Sequence, residues 1–114
     1  MNRPIIGITM GDATGIGPEI IVKALGNELQ YQSCRPLVIG DARRLEQVAK
    51  WAGPHVKIRS IDSVEEAKFQ FGVIDCIQTG RLPEDLPFGI ISVAAGDAAF
   101  QYVARAVQLA KEGA

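Results

Sequence analysis

The sequence has few of the residues on which chemistry at a protein site usually depends. Among its 114 residues are two cysteines, one histidine and one tryptophan. Cys34 and Cys76 are far apart and fit no metal-ligand spacing, so we interpret them as reduced thiols in a packed interior. His55 cannot form a metal site unaided, and we expect it in a loop that faces solvent. With one histidine, a Ser-His-Asp or Cys-His catalytic set is not supported.

Neither sign of charge is in excess, and no apolar run is long enough to cross a membrane. Twelve basic and thirteen acidic residues give a formal net charge of −1, and no basic cluster appears, so nucleic acid is not an expected partner. The segment from Met1 to Pro4 leads straight into a strand-like run and lacks the features of a signal peptide. The longest apolar stretches fall short of the roughly 20 residues of a membrane span. We therefore expect a cytoplasmic protein with no membrane partner.

What the sequence does contain is an alternation of strand-like and helix-like segments, of a length that suits one domain. Strands are predicted at 4–10, 37–39, 56–59 and 73–77. The first is almost continuously apolar, which predicts a strand buried on both faces of a parallel sheet.

Helices are predicted between these strands. One begins at Pro18 and runs to Leu29, and a second follows Asp41 and stops at Gly53-Pro54. A capping box at 63–66 predicts a third, short helix that ends near Phe69. The last covers 94–112. Three apolar stripes are expected to face the core, and their members are Ile21, Leu25 and Leu29; Leu45, Val48, Ala49 and Ala52; and Phe100, Val103 and Val107. A stripe widened by Ala99, Tyr102, Ala106 and Leu109 is expected for the last helix.

This order predicts the α/β class, with a mostly parallel sheet flanked by helices and a loop at 80–87. In an α/β unit a long helix normally leads into another strand, and none follows here. We therefore expect residues 1–114 to be a partial domain, the N-terminal α/β portion of a larger protein.

The most informative segment is Gly11–Glu19, which reads G-D-A-T-G-I-G-P-E and joins the first strand to the first helix. Pro18 suits the first turn of that helix, and Glu19 lies where the helix dipole favours negative charge. The spacing fits neither the dinucleotide fingerprint nor the phosphate loop. Two interpretations stay open, a tight structural corner or a loop that contacts a ligand. Asp41, after the second strand, either caps the next helix, which we favour, or binds a ribose.

Three stretches resemble a known family. Residues 8–20, ITMGDATGIGPEI, are similar to the opening of the 4-hydroxythreonine-4-phosphate dehydrogenase family, and 95–102 and 106–110 resemble that family's helix before its catalytic region. A related G-D-G-I-G-P-E opening occurs in isocitrate and isopropylmalate dehydrogenases, which share the fold. Ala13-Thr14 stands where the family usually has Pro-Ala, which loosens the assignment within the family.

The resemblance implies a two-domain homodimer that oxidises a small phosphorylated hydroxy acid with NAD or NADP. In the vitamin B6 pathway member, 4-phosphooxy-threonine is oxidised and decarboxylated during pyridoxal phosphate biosynthesis. A divalent metal held by histidines polarises the alcohol. The family's metal, catalytic and substrate-binding residues match no position here, so the resemblance assigns none, and we expect the chain alone to be inactive. It implies at most backbone contact with the cofactor by Gly11, Asp12 or Gly15.

Alternatives remain. Within the family, the substrate could be D-threonate or D-erythronate 4-phosphate, or an aromatic cis-dihydrodiol. A different class is a non-catalytic α/β module that binds a nucleotide or phosphate at the glycine turn. The chain could also be a stable fragment made by cloning or proteolysis. Because a truncated parallel sheet exposes a strand edge, we expect self-association.

Overall fold

The computed structural model describes residues 3–12, 14–52, 56–80, 82 and 93–113. Four parallel strands form one sheet in the order β1-β2-β4-β3. The strands are β1 Ile5–Thr9, β2 Arg35–Gly40, β3 Lys57–Ile61 and β4 Val73–Gln78. The helices are α1 Gly17–Leu25, α2 Glu28–Ser33, α3 Ala42–Ala52 and α4 Val93–Lys111, with a 3-10 turn at Val64–Glu66. The predicted α/β class with a parallel sheet is confirmed.

The helices lie on both faces of the sheet. On one face, Ile5 and Leu37 line a small gap together with Leu109 of α4. On the opposite face, Ile58 lies beside Ala49 of α3, and α1 packs against α3. The largest fully buried side chains of the resulting core are Tyr102, Met10, Ile39, Leu45, Ile74 and Ile77.

The prediction that β1 is buried on both faces is wrong. Ile6 is 45% exposed, while Ile5 and Ile8 are partly buried. β1 lies at an edge of the sheet and α4 covers the face that carries Ile5. An apolar run therefore identified the strand but not how much of it is covered.

The first predicted helix is two helices. α1 ends at Leu25, and Asn27 caps α2 by accepting a hydrogen bond from the backbone N–H of Leu29 at 3.0 Å. Ile21 and Leu25 are buried as predicted, but Leu29 is 63% exposed. The break turns the chain, so that Tyr31 rather than Leu29 reaches the core, where its ring meets Phe71 edge-on.

The α3 prediction is confirmed, with Leu45 and Val48 buried and Ala49 and Ala52 packed beside them. Its predicted stop at Gly53-Pro54 lies outside the described residues. The strand at 56–59 is confirmed as β3, shifted by one to two residues.

The capping box is present, since a Glu66 carboxylate oxygen accepts from the backbone N–H of Ser63 at 2.9 Å. It starts a single 3-10 turn, however, and the helix predicted to reach Phe69 is wrong. Asp75 of β4 accepts the N–H groups of Lys68 and Phe69, at 3.1 and 3.0 Å, so these donors are not available to a helix. Phe69 has a φ of +53°, which also takes the chain out of the helical region.

For α4, the helix is confirmed and the buried stripe is wrong. Of the residues expected to widen the stripe, Tyr102 and Leu109 are buried in the core and Ala106 is partly buried against it. Phe100, Val103 and Val107, expected in the core, are exposed. Both sets recur at helical spacing, so the period alone could not decide between them.

In the part of the chain that the structure describes, no helix has the length and apolar character that crossing a bilayer requires. Most of the predicted loop at 80–87 lies outside the described residues.

Candidate functional site

The turn between β1 and α1 is held by hydrogen bonds at its β1 end and within the turn itself. The Met10 N–H donates to the carbonyl of Ile39 at 3.0 Å, and the Met10 side chain is fully buried. Beyond it, one Asp12 carboxylate oxygen accepts the backbone N–H of Thr14 at 2.9 Å and its hydroxyl at 2.7 Å. The Gly15 N–H donates to the Asp12 carbonyl at 3.1 Å. Asp12 therefore orders the turn that it occupies.

The three glycines of this turn are there for different reasons. Gly11 has a φ of +71°, which side chains disfavour. At Gly17, a Cβ would lie 2.4 Å from the carbonyl oxygen of Met10, so the backbone needs the missing side chain. Gly15 is exposed, and a Cβ there would have its nearest neighbour at an ordinary 3.6 Å. The tight-corner interpretation thus explains Gly11 and Gly17 and leaves Gly15 without a structural reason.

The entry to α1 has the predicted chemistry. Pro18 lies in its first turn and Glu19 is the acidic residue there. Glu19 and Lys23 form an ion pair at 3.5 Å, which at this exposure contributes little to stability. Ile16 and Ile20, by contrast, are exposed apolar side chains beside the turn.

At the end of β2, both oxygens of the Asp41 carboxylate accept hydrogen bonds from other parts of the fold. One carboxylate oxygen accepts the backbone N–H of Arg44 at 3.0 Å, which caps α3. The other accepts from Gln78 Nε2 at 3.2 Å and from the Leu82 N–H at 3.1 Å. Asp41 is only 4% exposed. The capping prediction is confirmed, and the ribose-binding alternative is not supported because the side chain is buried and both of its oxygens already accept hydrogen bonds within the fold.

Gln78 joins the ends of β2 and β4. Its Oε1 accepts the N–H of Ala42 at 2.9 Å, while its Nε2 donates to Asp41 and to the Gly80 carbonyl. Sequence reasoning did not single out this residue. The signal was available, since a polar residue that ends a buried strand reaches the carboxyl edge of a parallel sheet.

Arg44 and Tyr102 complete this buried polar group. Arg44 was not singled out from the sequence, and Tyr102 was expected only as part of the buried stripe of α4. Arg44, on the first turn of α3, is 3% exposed and donates to Gln47 Oε1 at 3.2 Å. Burial lowers the pKa of Arg44, against the opposing attraction of Asp41 and Asp12. Burial raises the pKa of the Tyr102 phenol above its usual range, and its hydroxyl has no hydrogen-bond partner among the described residues. The carboxylates of Asp41 and Asp12 therefore both lie close enough to Arg44 to interact with its charge.

The residues considered for metal or thiol chemistry stay apart. Both cysteines are free thiols. Cys76 is buried as predicted, and burial raises its pKa from 9.0 to about 12. Cys34 is only partly buried, at the end of α2, so its predicted interior position is wrong. His55 lies outside the described residues. Within the described ranges, no three His, Cys, Asp or Glu side chains are grouped to hold a metal ion.

Comparison with known proteins places this geometry in a family. Residues 32–114 match the family described as pyridoxal phosphate biosynthetic protein PdxA. A D-threonate 4-phosphate dehydrogenase of Cupriavidus necator is 59% identical over 109 residues, which are 96% of this chain and 33% of that protein.

Solved structures agree. A 4-hydroxythreonine-4-phosphate dehydrogenase from Burkholderia phymatum superposes with a TM-score of 0.96 at 54% identity, over 99% of this chain and 34% of that one. The enzyme of the same name from Klebsiella pneumoniae gives 0.88 at 37% identity, with the same coverage. The chain therefore spans about a third of the length of the relatives it matches. With a family match over most of its residues, this chain belongs to the PdxA family, whose relatives named here are dehydrogenases.

Proposed function

We propose that this sequence is part of a protein of about its relatives' length, which we call the longer protein. The longer protein is an NAD- or NADP-dependent dehydrogenase of a small phosphorylated hydroxy acid. Residues 1–114 would form its N-terminal α/β portion. The observation that carries the proposal is the exposed Gly15 in a strand-to-helix turn of a chain 59% identical to a named dehydrogenase.

The turn suits a cofactor that approaches its backbone closely. No heavy atom lies within 4 Å of where a Gly11 Cβ would stand, and Gly15 is exposed. We propose that Gly11, Asp12 and Gly15 border the cofactor through their backbone, while the Asp12 side chain keeps the turn in shape for it. When bound, a nicotinamide cofactor accepts the hydride that leaves a secondary alcohol.

We assign no catalytic residue and no metal ligand to this chain. The described residues do not offer a group of donors that fits a divalent ion, so no step through a metal is derived from them. The metal and the reacting groups that the family resemblance implies would be supplied elsewhere in the longer protein. We accordingly propose that the 114-residue chain alone does not turn over substrate.

For the substrate, we favour D-threonate 4-phosphate over 4-phosphooxy-threonine. The first is named for the relative at 59% identity, and the second corresponds to the solved structure at 54% identity. The two molecules share a phosphate, a secondary alcohol and a carboxylate, and differ in a hydroxyl or amino group at C2. D-erythronate 4-phosphate and a cis-dihydrodiol remain comparison substrates. The family resemblance also supports a cytoplasmic homodimer.

The test is a substrate and cofactor matrix on the longer protein, followed by the absorbance of the reduced nicotinamide. We expect turnover of D-threonate 4-phosphate, abolished by a chelator and restored by a divalent ion. Equal or higher kcat/KM for 4-phosphooxy-threonine would reverse the substrate assignment. No reaction with any phosphorylated hydroxy acid would refute the dehydrogenase proposal, and cofactor binding without turnover would favour the non-catalytic module.

The role of the turn is tested separately by Gly15→Val in the longer protein. We expect the cofactor dissociation constant to rise about tenfold, about 1.4 kcal/mol, with little change in melting temperature, because the nearest atom to a Cβ at Gly15 lies at an ordinary contact distance of 3.6 Å. Gln32→Val is the control, at an exposed position of α2 outside the turn and outside α4. Equal cofactor affinity in both variants would remove Gly15 from the site.

A further inference from the structure

The outward side of α4 is apolar. Val93, Phe100, Val103 and Val107 are 83%, 76%, 52% and 49% exposed. They are spaced by seven, three and four residues, which puts them along one side of a helix. We call these four residues the outer stripe of α4. The opposite side of the same helix carries Ala95, Tyr102 and Leu109, which are buried against the sheet.

α3 shows what a solvated helix in this chain looks like. Its exposed positions include Arg43, Glu46 and Lys50, which are charged. A helix that faces water on one side usually has such a polar side, whereas one that is apolar on both sides is buried. Since single exposed apolar residues are ordinary but a row of them is not, the outer stripe has the character of a covered surface.

Two occupants can be compared by area. At these exposures the outer stripe presents on the order of 450 Å² of apolar surface, while a stable interface between two proteins buries about 800 Å² on each partner. A second copy would also lose translational and rotational freedom on binding, which a segment of the same polypeptide does not. The stripe is therefore too small to hold a dimer by itself and large enough to pack an intramolecular element.

We infer that the outer stripe of α4 is the surface on which the longer protein packs the polypeptide that follows α4. The relatives supply the length, because this chain covers only 33% and 34% of them. The segment that covers the stripe is expected to be apolar on the side that faces Phe100 and Val103. This inference concerns packing and does not depend on the proposed activity.

The first test measures accessibility by thiol labelling. Val103→Cys is made in a Cys34→Ser background, because Cys34 is partly exposed and Cys76 is buried. We expect a maleimide to label Cys at this position at least tenfold more slowly in the longer protein than in the 114-residue chain, at all protein concentrations. Leu29→Cys is the control, since Leu29 is exposed among the polar residues of α2 and should react equally in both.

Three outcomes separate the occupants. Protection in the longer protein that persists on dilution supports the inference. Protection that is lost on dilution would assign the stripe to a second copy, and equal labelling in both proteins would leave it solvated; either result overturns the inference.

A second measurement covers the case of a labelling variant that folds poorly. Phe100→Gln should lower the melting temperature of the longer protein by several degrees and leave that of the 114-residue chain unchanged, with Leu29→Gln neutral in both. Sedimentation of the longer Phe100→Gln variant should show its oligomeric state unchanged. Loss of oligomers instead would again point to a second copy.

Discussion

Gly17 carries no side chain because the carbonyl oxygen of Met10 occupies its place. A Cβ at Gly17 would lie 2.4 Å from that oxygen. Met10 cannot retreat, since its side chain is fully buried and its N–H is bonded to Ile39 at 3.0 Å. The contact fixes how α1 leaves β1, and with it the place of the glycine turn at the carboxyl edge of the sheet.

Gly17→Ala is therefore expected to lower the free energy of unfolding by about 2 kcal/mol or more, because backbone must move to admit the methyl group. Urea denaturation followed by circular dichroism measures this. Gly15→Ala is the control and should change the free energy by less than about 0.5 kcal/mol, since its Cβ meets its nearest neighbour at 3.6 Å. Equal losses in the two variants would contradict the assignment of Gly17 to packing and Gly15 to an open surface.

Asp41→Ala should lower the free energy of unfolding by about 2 to 3 kcal/mol, because the cap of α3 is lost and the donors on Gln78 and Leu82 lose their acceptor. Chemical denaturation is again the measurement. Asp97→Ala, at an exposed acid of α4, is the matched control and should be near neutral. A loss no larger than the control's would mean that the Asp41 bonds do not contribute to stability.

Asp75→Ala should cost about 2 to 4 kcal/mol, because the N–H groups of Lys68 and Phe69 then lose a buried acceptor. The segment before β4 should loosen first, since Phe69 has a φ of +53° that the Asp75 bonds help to hold. Hydrogen exchange at Lys68 and Phe69 should rise well before global unfolding. Glu65→Ala, at an exposed position, is the control. Equally fast exchange at Lys68 and Phe69 in that variant would argue against a local effect of Asp75.

Stability should fall as the pH rises from about 9 to 12. Burial raises the pKa of Cys76 from 9.0 to about 12, and burial, with Asp75 nearby, raises that of Tyr31 from 10.0 to about 12. Both groups hold their protons more tightly folded than unfolded, so their contribution is complete below the unfolded values and is lost through the folded ones. Urea midpoints between pH 8 and 11.5 measure this.

Tyr31→Phe isolates the contribution of Tyr31. In this variant the free energy of unfolding should fall less steeply between pH 10 and 12. The fall that begins near pH 9, which comes from Cys76, should remain. An unchanged slope in this variant would show that Tyr31 does not titrate with unfolding.

The turn chemistry and the helix caps could be predicted from the sequence because they are local. Pro18 and Glu19 begin α1, and the Asp41 cap and the Ser63–Glu66 box involve residues at most three positions apart. The distinction between Gly15 and Gly17 could not be predicted, because it depends on where the Met10 carbonyl lies. That Gln78, Arg44 and Tyr102 form one polar group could not be predicted, because three separate elements bring them to one edge.

Hydrophobic period predicted where the strands and α4 lie, since a repeat of two or of 3.6 residues fixes which side chains share a face. It did not predict which face is covered. α4 carries two apolar sides, and the one with Tyr102 and Leu109 packs on β1 and β2 while the one with Phe100 and Val103 faces outward. Likewise Leu29 kept the period of α1 but lies beyond the break at Asn27.

The sequence by itself determined the α/β class, the four strands, the family resemblance and the glycine turn, because these depend on the order of residues along the chain. Only the tertiary structure decided that the Met10 carbonyl leaves no room for a side chain at Gly17, whereas Gly15 lies at an exposed surface. It also decided that the Asp41 carboxylate accepts hydrogen bonds from Gln78 and Leu82. The reason is that these contacts join residues from seven positions apart, as for Met10 and Gly17, to 41 positions apart, as for Asp41 and Leu82. No local pattern records which of them will meet.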